Sequence, residues 1–198
     1  MTRRLIVFAR APLPGQAKTR LAASIGEAEA AGVYARLLCA YLLELTRAEW
    51  PDVALQLSVA LAADRPFFAE AFPAFDLRVQ SGPDLGARLA GAFQEAFASG
   101  AQSVIVTASD IPALDAALIR TAFQALQRTA AVIGPCPDGG YYLLGMRAPG
   151  APLFHGVTWG TDRVLAQTER LARAAGLTMT HLPEHLDVDT SEDLARWL

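Results

Sequence analysis

Near its N-terminus the chain runs Leu5-Ile6-Val7-Phe8-Ala9 and then Arg10-Ala11-Pro12-Leu13-Pro14-Gly15-Gln16-Ala17-Lys18-Thr19-Arg20-Leu21. Five apolar residues in succession suit a strand buried on both faces, the kind that a parallel sheet requires. Two prolines and a glycine then stop the strand and stiffen a loop that carries Lys18 and Arg20. In open α/β sheets ligands sit in the crevice beyond the carboxyl ends of the strands, so a basic loop at that place is positioned to meet phosphate.

Outward from this stretch, apolar β-branched runs recur at residues 53–60, 103–107 and 131–134, with helical periodicity in most of the intervals. Across residues 27–50, Val33, Leu37, Leu38, Tyr41, Leu42 and Leu45 share one helix face. Asp84 reads as the cap of a second helix presenting Leu85, Leu89, Phe93 and Phe97, and a third over residues 115–127 presents Ile119, Ala122, Phe123 and Leu126. This alternation predicts an α/β fold of Rossmann-like type, a mostly parallel sheet with helices on both faces. Asp138-Gly139-Gly140 is a turn signal with another apolar run, Tyr141–Met146, directly behind it, so that strand is expected to run antiparallel. The tail predicts a helix over 162–175, a short strand near 177–182 and a capped helix ending at Leu198. No repeat or linker interrupts the pattern, and residues 1–198 are expected to form a single domain.

Composition narrows the function. With 198 residues, 53% of them hydrophobic and 19% charged, the chain can fill a sizeable core. Seventeen Lys plus Arg against 20 Asp plus Glu leave a net charge of −3 without any basic stripe, which argues against nucleic acid as a partner. Mean hydropathy is +0.26, yet no apolar run approaches the roughly 20 residues that span a bilayer. The apolar stretch that starts after Arg4 stops at Arg10, too short for a signal peptide, so the expected location is the cytoplasm. Cys39 and Cys136 lack metal or redox spacing and read as packed thiols, and Pro183 between His181 and His185 breaks the helical register of a zinc pair. Gly-x-Ser-x-Gly, Walker and full Gly-x-Gly-x-x-Gly motifs are all missing, which removes the common hydrolase, P-loop and dinucleotide readings.

Three clusters are candidates for chemistry. Asp110, in Val104-Ile105-Val106-Thr107-Ala108-Ser109-Asp110-Ile111-Pro112, stands at the carboxyl end of a central strand, where it serves either as a ligand for a hard cation such as Mg²⁺ or as a turn cap. In Leu186-Asp187-Val188-Asp189-Thr190-Ser191-Glu192-Asp193, an extended backbone points Asp187 and Asp189 the same way, so one or both could complete a cation site with Asp110. Glu192 and Asp193 are better explained as the acidic first turn of a helix. The paired glycines of Asp138-Gly139-Gly140 admit two readings: close backbone approach to a substrate that Asp138 holds, or a plain hairpin turn.

Taken together, these segments resemble the nucleotide-diphospho-sugar transferase fold. More narrowly, the chain resembles the bacterial family labelled transferase 1, associated with radical-SAM and selenodomain proteins and often called glycosyltransferases. The resemblance runs from Phe8-Ala9-Arg10-Ala11-Pro12 through Gln80-Ser81-Gly82-Pro83-Asp84-Leu85-Gly86 and Trp159-Gly160-Thr161 to the Asp-rich tail. It implies a nucleotide over the first half of the sheet, touched by Ala9, Arg10, Pro12, Gly15, Lys18, Gln80, Gly82, Arg88 and Ser109. It implies catalytic roles for Lys18, Arg20 and Asp110, with Mg²⁺ or Mn²⁺ held by Asp110 and Asp189. A small-molecule acceptor would then meet Asp138, Gly139, Gly140, Tyr141 and Trp159.

One departure steers the expected reaction. Sugar transferases of this fold usually carry Asp-x-Asp at the central strand, whereas this chain has Ala108-Ser109-Asp110. A single Asp there, a second near the C-terminus and an early Lys/Arg loop resemble enzymes that join a nucleotide to a phosphorylated acceptor. Nucleotidyl transfer expels pyrophosphate, whose developing charge calls for cations placed in advance. It is therefore the leading expectation, ahead of glycosyl transfer from a nucleotide-diphospho-sugar and of a nucleotide-binding module without turnover.

Overall fold

The computed structural model describes residues 2–149 and 151–198. Seven strands form one sheet: β1 (Arg3–Ala9), β2 (Val53–Val59), β3 (Asp76–Val79), β4 (Ser103–Thr107), β5 (Ala131–Pro135), β6 (Tyr141–Met146) and β7 (Met179–His181), in the order β3-β2-β1-β4-β6-β5-β7. All neighbouring pairs are parallel except those made by β6, which runs antiparallel to β4 and β5. The expected α/β architecture, including the reversed strand at Tyr141–Met146, is the one observed. β1 has β2 on one side and β4 on the other, so the strand order turns around between β1 and β4 and opens a crevice at their carboxyl ends.

The described residues form seven α-helices, α1 (Thr19–Ile25), α2 (Glu27–Arg47), α3 (Arg65–Ala71), α4 (Leu85–Ala98), α5 (Ala116–Ala125), α6 (Val164–Ala174) and α7 (Ser191–Trp197). Because successive strand side chains alternate, Leu5 and Val7 pack with Leu38, Leu42, Phe68, Ile119 and Phe123 from α2, α3 and α5. Ile6 points to the other face, with Leu89 and Phe93 of α4 and Ala172 of α6. Helices thus lie on both faces, and the central strands are dry on each side, which is why they read as unbroken apolar runs. A smaller cluster, Leu21, Ala30, Val33, Leu37 and Val188, pins the C-terminal segment to α1 and α2.

The helix starts show the same local logic. Asp84 and Asp115 each accept a hydrogen bond from the backbone N–H three residues on, at 2.8 and 2.6 Å. Thr190 and Asp193 form a reciprocal capping box on α7. Three elements depart from the sequence expectation: β3, α3 and α1, the last lying partly inside what reads as a continuous loop. Among the described residues no helix is long and apolar enough to cross a membrane.

Candidate active site

The loop leaving β1 is a folded unit. Leu13 N–H donates to the Ala11 carbonyl, Gln16 N–H to the Leu13 carbonyl, and the Arg10 guanidinium to the Gln16 carbonyl at 2.5 Å. It ends at Lys18, which takes the left-handed conformation (φ 53°, ψ 47°) as it starts α1. Few non-glycine residues adopt that geometry, and it delivers the Lys18 side chain back into the crevice between β1 and β4.

There the ammonium meets two carboxylates. Lys18 Nζ donates to Asp110 Oδ2 at 2.6 Å and to Asp189 Oδ1 at 2.8 Å. The lysine side chain is 3% exposed, the two aspartates 26% and 34%. Burial alone would lower the Lys18 pKa, but the two carboxylates outweigh it and raise the value above that of a free lysine. Arg20, 66% exposed, stands 3.7 Å from the other oxygen of Asp189.

Each partner is fixed by its own stretch of backbone. Asp110 follows β4 after Ala108, whose N–H donates to the Tyr142 carbonyl of β6 at 2.8 Å. Val188 is fully buried in the cluster on α1 and α2, and its N–H reaches the Asp110 carbonyl at 3.4 Å. Val188 is buried between the two aspartates; Asp189 lines the cleft beside Lys18, whereas Asp187 groups with Cys136 and Asp138. Asp193 then accepts from the backbone N–H groups of Asp189 and Thr190 and holds that segment at its far end.

Negative charge exceeds the cations available to it. Asp187 is pushed up to about 6, first by burial and then by the carboxylates of Asp138, Asp189 and Asp110, against which Lys18 is insufficient. The ligand atoms of Cys136, Asp138 and Asp187 lie within 4.8 Å of one another, and burial together with those acids raises the Cys136 thiol. That group includes neither Asp110 nor Asp189, the expected ligands, whose carboxylates line the cleft and are donors of the kind a hard divalent cation takes.

The crevice opens into a cleft of about 590 Å³. Of the residues expected to bind ligand, Ala9, Arg10, Lys18, Arg20, Gln80, Arg88, Ser109, Asp110, Tyr141 and Asp189 line it. Pro12, Gly15, Gly82, Asp138, Gly139, Gly140 and Trp159 do not. Three of them make contacts of their own. At Gly82 (φ 133°) an added Cβ would stand 2.8 Å from that of Ala87, and the Gly82 carbonyl accepts from Arg88 Nε at 3.1 Å. Asp138 accepts from Gly140 N–H at 2.8 Å, which closes the β5–β6 hairpin. Trp159 lies against Gly86, where a Cβ would be 2.3 Å from the indole nitrogen, and edge-on to Tyr141 with ring centroids 6.4 Å apart.

Tyr34 is the residue that the sequence did not single out. Its buried hydroxyl lines the cleft, pairs with Ser109 Oγ at 3.0 Å and accepts from Arg10 N–H at 3.2 Å, tying the exits of β1 and β4 together. Tyr41, seven residues on, pairs in the same way with Thr107 at 3.2 Å. A signal existed: two tyrosines on the apolar face of one helix need partners for their hydroxyls once buried.

The profile of a bacterial family described as "Uncharacterized protein conserved in bacteria (DUF2064)" matches residues 43–161. A provisionally assigned nucleotide-diphospho-sugar transferase from Desulfovibrio desulfuricans is 36% identical, with a TM-score of 0.90 over 98% of this chain and 85% of that one. Rv0371c from Mycobacterium tuberculosis, crystallised with manganese, superposes with a TM-score of 0.57 at 18% identity over 100% of this chain and 98% of its own. A cytidylyltransferase from Leptospira borgpetersenii gives 0.58 at 14% identity over 98% and 84%. The last two establish a shared fold alone. No curated protein shows significant sequence similarity to the chain.

Proposed function

The chain belongs to the bacterial DUF2064 family and is a transferase, and from that premise we propose that it transfers a nucleotidyl group from a nucleoside triphosphate to a small phosphorylated acceptor with the help of Mg²⁺ or Mn²⁺. The observation that carries the reading is Lys18, a buried cation bridging Asp110 and Asp189 at the point where the strand order reverses. Manganese in the Rv0371c crystal and the cytidylyl chemistry of the Leptospira protein, both on this fold, support it.

In the proposed reaction the acceptor's oxygen bonds to the α-phosphorus and pyrophosphate leaves with its bonding electron pair. Asp110 and Asp189 would hold the divalent cation, which when bound supplies Lewis-acid polarisation of phosphate oxygens. Lys18 and Arg20 neutralise charge on the departing pyrophosphate, and Arg20, exposed and only loosely paired, is also free to meet the charge of the acceptor. Gln80 and Arg88 line the cleft on the β2–β3 side, where they orient the nucleoside. Tyr34 keeps the β1 and β4 exits in register by holding Ser109 and the Arg10 backbone.

The test is incubation with each nucleoside triphosphate and a pool of phosphorylated small molecules, with pyrophosphate as the readout and mass spectrometry to identify the adduct. Release of pyrophosphate that is lost in D110N is the expected result; full turnover by D110N defeats the assignment. The Desulfovibrio relative favours a second reading, glycosyl transfer. Liberation of a nucleoside diphosphate from a nucleotide-sugar, without pyrophosphate, decides for it.

A further inference from the structure

We infer that Lys18 is the resident counter-cation of the metal site, competing with the divalent ion for Asp110 and Asp189, so that metal binding is coupled to withdrawal of the lysine onto the phosphates of an incoming nucleotide. The inference rests on the reading of Asp110 and Asp189 as ligands of the cation.

Four observations lead to it. The ammonium is shared between two carboxylates contributed by segments 92 and 171 residues away, and takes one oxygen from each. The lysine is the more buried partner, while both aspartates keep a face toward the cleft. Arg20, the other cation within reach of the pair, is 66% exposed and stands 3.7 Å from Asp189, which leaves Lys18 as the cation seated between the two carboxylates. The backbone at Lys18 holds the left-handed conformation, and the four-carbon arm beyond it has rotatable bonds through which the buried ammonium can be redirected without refolding the loop, once another anion takes over its two hydrogen bonds.

Competition follows from distance. Mg²⁺ takes oxygen ligands at roughly 2.0–2.1 Å, and the ammonium already lies 2.6 and 2.8 Å from oxygens of the same two groups. Two cations on one pair of carboxylates repel strongly in this partly buried setting. A nucleotide's phosphates relieve the conflict by accepting the ammonium, which frees the aspartates for metal. By linkage each ligand then tightens the other. The free protein is thereby kept a poor metal binder, and cation and nucleotide enter as a coupled pair.

The experiment uses protein stripped with EDTA and titrated with Mn²⁺ alone, free Mn²⁺ being read by its electron paramagnetic resonance signal. Wild type is compared with K18M and K18Q, and with K18M carrying D110N; circular dichroism confirms folding of each. Removing the resident charge should tighten Mn²⁺ binding at least about tenfold in K18M and K18Q, and D110N should abolish that gain. If K18M and K18Q bind Mn²⁺ no tighter than wild type while D110N still weakens it, the cation site stands and the competition is refuted. If no folded form binds Mn²⁺, the metal assignment fails and the inference with it. Should both Lys18 variants fail to fold, Mg²⁺ titration of wild type followed through the lysine ¹⁵Nζ resonances answers the question: the Lys18 signal must shift toward that of a free ammonium, and an unmoved signal at saturation overturns the inference.

Discussion

Lys18→Met is the perturbation that tests the architecture of the site most directly. The variant keeps the aliphatic arm and removes the charge, leaving Asp110 and Asp189 facing each other across the place of the ammonium. Deleting one partner of a buried ion pair costs about 3–5 kcal/mol, because the stranded charge keeps its desolvation penalty. Here the stranded groups are 26% and 34% exposed, so water recovers part of that loss, and about 2–3 kcal/mol is expected. For a chain of this length such a loss lowers Tm by roughly 5–10 °C. The Lys18 pKa lies above its ordinary 10.5; its contribution is therefore fully present below 10.5 and is lost only as pH rises past the higher folded value, so a measurement at pH 8 captures all of it. The assay is urea unfolding in EDTA, with far-ultraviolet circular dichroism as the signal. The triple variant K18M/D110N/D189N, which removes all three charges together, should regain most of the stability. A K18M protein within about 0.5 kcal/mol of wild type, below what any buried pair should cost, would refute the reasoning.

Other predictions concern the supports of the site. Tyr34→Phe leaves Ser109 Oγ and the Arg10 N–H short of a buried partner, for an expected loss of about 1–3 kcal/mol in urea unfolding; no loss would mean that the tie between β1 and β4 is idle. Asp187 has a folded pKa of about 6 against an ordinary 3.8, so the native state binds the proton more tightly and this group's stability term declines as pH rises through 6. Asp187→Asn should accordingly match wild type below pH 4 and be more stable by about 1–3 kcal/mol at pH 8 in EDTA; a gain that is the same at both pH values would exclude charge as the cause. Gly139→Ala combines a φ of 84° with a Cβ 2.1 Å from the Asp162 carbonyl oxygen, and is expected to cost more than about 2 kcal/mol. Thermal unfolding measures it, and an unchanged Tm would show that the hairpin can move off the loop before α6.

How far the sequence could be read depended on how local the cause was. β4 and β6 are legible to the residue because a strand covered on both faces must be an apolar run. Asp84, Asp115 and the Thr190-Ser191 pair announce helix starts because a cap is chemistry between residues three apart, and the structure selects Thr190 of that pair. β3 was not legible: Asp-Leu-Arg-Val is a mostly exposed edge strand of four residues, with too few positions to establish a period. α1 was hidden as well, since its seven residues begin in a proline-rich loop at a lysine whose left-handed backbone no propensity would assign.

The sequence by itself therefore determined the layers of the fold, the reversed strand, and the residue types able to hold phosphate and a cation, since all of these follow from patterns a few residues long. Only tertiary structure decided that Lys18, Asp110 and Asp189 share hydrogen bonds, that Val188 is buried between the two C-terminal aspartates, and that Trp159 packs on Gly86 while Asp138 closes a hairpin, neither of them lining the cleft. The physical reason is range. Periodicity and capping act through neighbours along the chain, whereas a buried ion pair joining positions 92 and 171 residues apart exists only once strand order and a fixed backbone have brought those charges into one crevice.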